Sequence, residues 1–198
     1  MRYRVSLLLL LICSCKENKQ ITIADIETFS EADIRISKND PTLSVKNDRI
    51  FLKGNIFKGY LYQLYPNQKD TFSIECYRDG LLNGIVKKYY PGKQLMECRS
   101  YVQGAKNGKQ VSYWENGNRR FEFTAKNDAY EGELKEWSEN GSVFHLAHFK
   151  NGQEEGEQKL WYDDGKIKAN YVIMNGRRYG LLGTKNCTNV SDSIPVIK

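Results

Sequence analysis

From residue 42 onward the chain alternates apolar and polar side chains in short runs. Phe121, Phe123 and Ala125 take one parity, with Arg120, Glu122 and Thr124 on the other. Val143, Ala147 and Phe149 repeat the pattern, and so do Ile167, Ala169, Tyr171 and Ile173 around Lys168 and Asn170. A period of two with one apolar side predicts half-buried antiparallel strands. Asn116-Gly117, Asn140-Gly141 and Asp164-Gly165 separate paired runs, and Asp79-Gly80, Asn151-Gly152 and Asn175-Gly176 stand at the opposite ends. Asn-Gly between aromatic and β-branched runs is a hairpin signal. A type I′ turn needs φ > 0 at both central residues, which Asn and Gly tolerate best, and that is the turn expected at residues 116–117 and their equivalents.

The alternation is itself periodic. Glycines 84, 108, 132, 156 and 180 follow one another at 24 residues, with Gly59 one residue further upstream. Gly92, Gly117, Gly141 and Gly165 form a second ladder, and Gly80, Gly104, Gly152 and Gly176 a third in which Asp128 fills the gap. Three ladders in register identify a repeat protein whose unit is strand, turn, strand, turn. Each first strand carries an aromatic five residues after its ladder glycine: Tyr89, Tyr113, Trp137 and Trp161. No hairpin buries its face alone, so successive units must stack. As core, this stripe welds neighbouring hairpins, the preferred reading because strand-period aromatics pack on cross-strand neighbours. As an exposed groove it would receive a glycan, a lipid headgroup or an extended peptide.

The unit Gly-x-x-x-x-Tyr/Trp-(Tyr/Trp)-x-x-Asn/Asp-Gly, followed by an aromatic and a further Asn-Gly, resembles the MORN-type repeat. Tyr130-Glu131-Gly132-Glu133 matches the opening of the parent motif. More narrowly the chain resembles the bacterial MORN variant labelled YwqK-family antitoxin. The resemblance covers residues 57–180, with a first unit whose Tyr65-Pro66-Asn67-Gln68 lacks the turn glycine. It implies an elongated all-β meander serving as scaffold or binding surface, and a toxin partner as one form of that binding.

Ahead of the repeats, Arg2 and Arg4 precede an apolar run, Val5 to Ile12, that is too short to span a bilayer. Ile12-Cys13-Ser14-Cys15 resembles a bacterial lipobox with Cys15 as the lipidated residue, because Ile12 occupies the small-residue place that Cys13 would require. An ordinary cleaved secretory signal is the alternative. Lys16 after the cysteine favours outer-membrane anchoring over inner-membrane retention. The expected organisation is a signal peptide at 1–15, a polar tether at 16–40 with one short helix at 23–32, and a capping hairpin at 41–56 over the first sheet edge. The repeats then fill 57–180 and a tail 181–198. No helix is expected within 84–176.

Composition adds little chemistry. The chain is 40% hydrophobic and 12% aromatic, with a net charge of +6. The basic excess is spread through the repeats, unlike the one-sided stripe of a nucleic-acid groove, so no nucleic acid is expected. If Cys15 is lipidated, Cys76, Cys98 and Cys187 remain. Cys76 and Cys98 lie on second strands of adjacent repeats, about 9–10 Å apart across one intervening strand and beyond disulfide reach. Asn186 and Asn189 begin glycosylation sequons that carry no weight in a bacterial lipoprotein. His145 and His148 are three residues apart on one strand, hence on opposite faces, and cannot chelate one metal. Carboxylate pairs such as Glu131/Glu133, Glu154-Glu155 and Asp163-Asp164 cluster at turns rather than across a cleft. No phosphate loop, nucleophile elbow or Cys-x-x-Cys is present.

The expectation is therefore a non-enzymatic, lipid-anchored envelope scaffold without cofactor or metal, facing an unidentified protein partner. An antitoxin or immunity-like protein is the alternative, and a glycan- or lipid-binding module or wall-acting enzyme stands behind it.

Overall fold

The computed structural model describes residues 34–183. Cys15, Cys187, the helix expected at 23–32 and most of the tail lie outside the described residues. The repeats fold as one long meander. From β5 (Gly59–Leu64) and β6 (Thr71–Arg78) it runs through β8 (Gly84–Tyr89), β9 (Leu95–Val102), β10 (Ala105–Tyr113) and β11 (Arg119–Lys126). It continues as β12 (Ala129–Trp137), β13 (Val143–Lys150), β14 (Gln153–Trp161), β15 (Ile167–Met174) and β16 (Arg177–Leu181). The short β7 (Leu81–Leu82) pairs with β6, and β1 (Arg35–Ser37) with β5, giving a sheet of 13 strands.

That sheet is mixed rather than all antiparallel. β1 runs parallel to β5, with Arg35 opposite Tyr60 and Ser37 opposite Tyr62. Residues 35–37, expected in the tether, thus cover the first sheet edge. A side chain at Gly59, φ 143°, would place its Cβ 2.3 Å from the Ile34 carbonyl oxygen, so this approach requires glycine. Residues 41–56 form a separate three-stranded sheet of β2 (Leu43–Lys46), β3 (Arg49–Leu52) and β4 (Asn55–Ile56). It docks on the β6–β7 turn through Ile50 N–H to Gly80 O at 2.8 Å, instead of lying along the edge.

Turns form at residues 116–117 and their equivalents with a left-handed glycine as expected, but the type I′ geometry expected there is found at the opposite ends of the units. Asp79-Gly80, Gln103-Gly104, Asn127-Asp128, Asn151-Gly152 and Asn175-Gly176 all have φ > 0 at both residues, the type I′ signature. At the other edge only the glycine of each pair is left-handed: Gly117, Gly141 and Gly165 have φ of 89°, 87° and 79°. There Gly117 N–H donates to Trp114 O at 2.9 Å and Trp114 N–H to Asn118 O at 2.8 Å, a type I turn closed by a G1 bulge. Asn116, Asn140 and Asp164 serve through their side chains, whose Oδ1 accepts the N–H two residues on at 2.9, 2.9 and 3.0 Å. Gln68, φ 53°, takes the glycine's place in the first unit. The one helical piece inside 84–176 is a single 3-10 turn, Pro91–Lys93, at a hairpin loop. It leaves the period intact.

The glycines at 108, 132 and 156 lie within the longer strands, where the pairing slips, as between Lys106 and Gln110 on β10. These are bulges, one per unit, each disrupting the local ladder. Two units fill the gap with a buried glutamine. Gln110 donates Nε2–H to Ser100 O at 2.9 Å, and Gln158 to His148 O at 2.8 Å. Leu61, Val86 and Leu134 occupy the corresponding place in other units. With Ala125, Ala147, Ala169 and Ile173 they make a thin core along one face, and strands β9 to β16 contact mainly their sheet neighbours.

Candidate functional site

The predicted stripe is placed at the ends of the first strands. Tyr89, Tyr113, Trp137 and Trp161 pair with Leu95, Arg119, Val143 and Ile167 at equivalent register positions, and all four are half-buried. Burial pushes the Tyr113 phenol above its ordinary value. The turn glycines Gly117, Gly141 and Gly165 line up along the same sheet edge, one residue series beyond.

A second column, one residue further along, carries the contacts between units. Tyr65 donates its hydroxyl to the carbonyl of Tyr89 at 2.8 Å, and Tyr90 to that of Tyr113 at 3.1 Å. Trp114 donates Nε1–H to the carbonyl of Trp137 at 3.0 Å. A ring with a donor at its tip thus clasps the backbone of Tyr89, Tyr113 and Trp137 in the following unit. Two of the clasps lean on a side chain of their own second strand: Phe72 is edge-on to Tyr65, 5.3 Å between centroids, and the Arg120 guanidinium lies 4.8 Å over Trp114. Asn116 and Asn118 add bonds from the same turn to Glu139 O at 2.8 and 2.9 Å.

The column breaks at Ser138. Its hydroxyl is taken up within its own turn, donating within reach of Asn140 Oδ1 at 2.7 Å and Ser142 O at 3.0 Å. Between this turn and the next a cleft of about 560 Å³ opens, lined by Ser138, Asn140, Val143, Phe144, Tyr162 and Asp163 among others. Phe144 holds the place that Arg120 holds beneath Trp114 and Lys168 beneath Tyr162, where the ammonium lies 5.6 Å from the ring centre. Glu139, Asp163 and Asp164 form an acidic rim, and hydrogen bonds from Lys166 hold the Asp164 carboxyl below the usual carboxylate range.

Elsewhere several charged groups are paired. Lys38 bonds Glu75 at 2.5 Å, and Glu75 accepts from the Tyr77 hydroxyl at 2.9 Å. Burial, followed by the Glu75 charge, raises the Tyr77 phenol well above its ordinary value. Glu97 lies between Lys88 and Arg99 at 3.3 and 3.2 Å, and burial would raise its carboxyl, yet the Arg99 and Lys88 contacts bring it below the usual range. His145 Nδ1 is 2.7 Å from Glu136 Oε2, whereas His148 faces Glu133 and the Glu157 carbonyl. The two imidazoles belong to opposite faces. Among the described residues no group of three or more His, Cys, Asp or Glu side chains is arranged to hold a metal, and no disulfide joins Cys76 to Cys98.

The alternation had drawn attention to the stripe and passed over Tyr65, Tyr90, Trp114 and Ser138. Their signal was available, since the column reads Tyr, Tyr, Trp, Ser, Tyr at the repeat interval. Its meaning needed the carbonyls that only stacking brings near.

Hairpins repeated in register, clasped from one to the next, define a β-hairpin repeat protein. The family described as MORN repeat variant matches residues 82–103, 106–127, 130–151 and 154–171, so the chain carries four such repeats. The first three matched stretches each contain one hairpin, β8–β9, β10–β11 and β12–β13, and the fourth contains β14 with part of β15. No curated protein matches the sequence.

Proposed function

We propose that the protein is a non-catalytic scaffold that binds a protein partner through its repeat sheet, held at a bacterial outer membrane by lipid on Cys15. The observation that carries this reading is the meander itself. It presents long strand surfaces with a thin core, and many of its acidic groups, Glu75, Glu97 and Glu136 among them, are paired with basic side chains. A catalytic carboxylate pair needs two groups facing across a cleft with one pKa raised. The carboxyls of Asp40, Glu97, Glu157 and Asp164 all lie below the usual range, held there by hydrogen bonds from Thr42 at the first and by basic neighbours at the other three, which outweigh burial at Glu97. Glycan or lipid-headgroup binding would use the same surface and is the lesser reading. Neutralising a toxin, the narrower role implied by the resemblance, is one form of protein binding.

Chemical crosslinking on intact membranes followed by purification of the chain tests the proposal. A discrete crosslinked protein is the expected outcome. A chain recovered only as an uncrosslinked monomer overturns it.

A further inference from the structure

The repeats themselves indicate what belongs in the cleft at Ser138. At three successive places a ring with a polar tip fills the gap between one turn and the next, and donates to a backbone carbonyl. At the fourth place the backbone frame continues unchanged. Turn 138–141 has the same closing bonds as turn 114–117, at 2.9 Å, and Trp161 pairs with Ile167 as Trp137 pairs with Val143. The clasping ring is missing, because serine stands where the other units have tyrosine or tryptophan, and Ser142 stands in the place of Asn118. Phe144 then faces the opening, and Tyr162, 43% exposed, stands across it.

We propose that this cleft receives a tryptophan or tyrosine side chain of the partner protein, stacked on Phe144, with its N–H or O–H directed to the carbonyl of Trp161. Two aromatic walls supply offset or edge contacts for an incoming ring. The rim of Glu139, Asp163 and Asp164 repels an anionic ligand and suits a ring whose edge is a donor. Residues 184–198 contain no aromatic, and in residues 1–33 only Tyr3 has a donor-tipped ring, so the repeats' own chemistry points to a partner's side chain. Aromatic anchors in well-packed pockets are where binding energy concentrates in protein interfaces. The proposal rests on the scaffold reading above and narrows it to one site and one anchor.

The test uses the full chain and the neutral probe N-acetyl-tryptophanamide, followed by amide chemical shifts. Saturable shifts confined to residues 138–144 and 162–165 are expected, with N-acetyl-phenylalaninamide about fivefold weaker for want of a donor. Ser138→Trp should fill the cleft from within, abolish probe binding and raise Tm by roughly 3 °C or more. Ser138→Ala should leave binding unchanged. Phe144→Ala, which keeps the turn, should weaken it severalfold and provides a second reading if Ser138→Trp folds poorly. Absence of saturable shifts overturns the proposal, as does probe binding that survives Ser138→Trp or a preference for N-acetylglucosamine oligomers. In the membrane crosslinking experiment, a partner captured equally by wild type and Ser138→Trp sinks the cleft but leaves the scaffold reading intact. No partner captured by wild type sinks the scaffold reading.

Discussion

The clasp of Trp114 offers the sharpest test of how neighbouring repeats hold together. Its ring is half-buried, its Nε1–H donates to Trp137 O at 3.0 Å, and Arg120 lies over its face. Trp114→Phe keeps most of the packing and removes the donor, which should cost about 1 kcal/mol. Trp114→Ala also removes the ring and the cation–π contact. A fully packed tryptophan is worth about 3–5 kcal/mol on truncation, so a half-buried one with its bond should lose about 2–4 kcal/mol. For a chain of this size each kcal/mol moves Tm by about 2–4 °C. Calorimetry on the two variants should therefore give a small and a large depression, in that order. Because stability in stacked repeats is mainly nearest-neighbour, hydrogen exchange should accelerate around residues 137–142 and much less in the sheet at 43–56. Equal melting of wild type and Trp114→Ala would refute the clasp. Equal loss in both variants would show that the hydrogen bond, not the ring, carries it.

Four further expectations follow, three from the same geometry and the last from the sequence. At Gly141→Val the new Cβ makes ordinary contact with Asn118, 3.7 Å away, so the cost of roughly 1–3 kcal/mol is mainly that of holding φ at +87°. Gly180→Ala would place a Cβ 2.7 Å from Asn170 O, and should free β16 to fast exchange while β10–β12 stay protected. Glu97 is held below the ordinary glutamate value, so its contribution is present above about pH 4.3 and is lost as pH falls through the lowered value. Tyr77 is raised, so its contribution is full below about pH 10 and is lost as pH rises beyond it. Denaturant melts across pH should show losses at both extremes in wild type, with the alkaline one reduced in Tyr77→Phe. Cys15→Ser should release the chain from membranes on fractionation and Cys13→Ser should not, since stable anchoring needs more than one acyl chain on the modified residue. Retention of the Cys15→Ser protein would end the lipobox reading.

Much of the architecture was legible because it is local and repeated. Alternation in Phe121 to Ala125 and Ile167 to Ile173, punctuated by glycines at a constant interval, admits few structures other than stacked hairpins. Turn chemistry was legible only in part. Asn tolerates a left-handed backbone and also accepts a hydrogen bond from two residues on, so Asn116-Gly117 and Asn151-Gly152 look alike in sequence. The strand register makes the first a type I turn with a bulge and the second a type I′ turn. Pairing over long separations left no such trace. Arg35-Ile36-Ser37 is too short to alternate, and its parallel seat beside β5 depends on the close approach that Gly59 permits. Ser138 likewise reads as an unremarkable turn residue. Its replacement of a tyrosine or tryptophan becomes a cleft only once stacking sets Phe144 and Tyr162 on either side, because a vacancy belongs to the space between two units and not to the sequence of either.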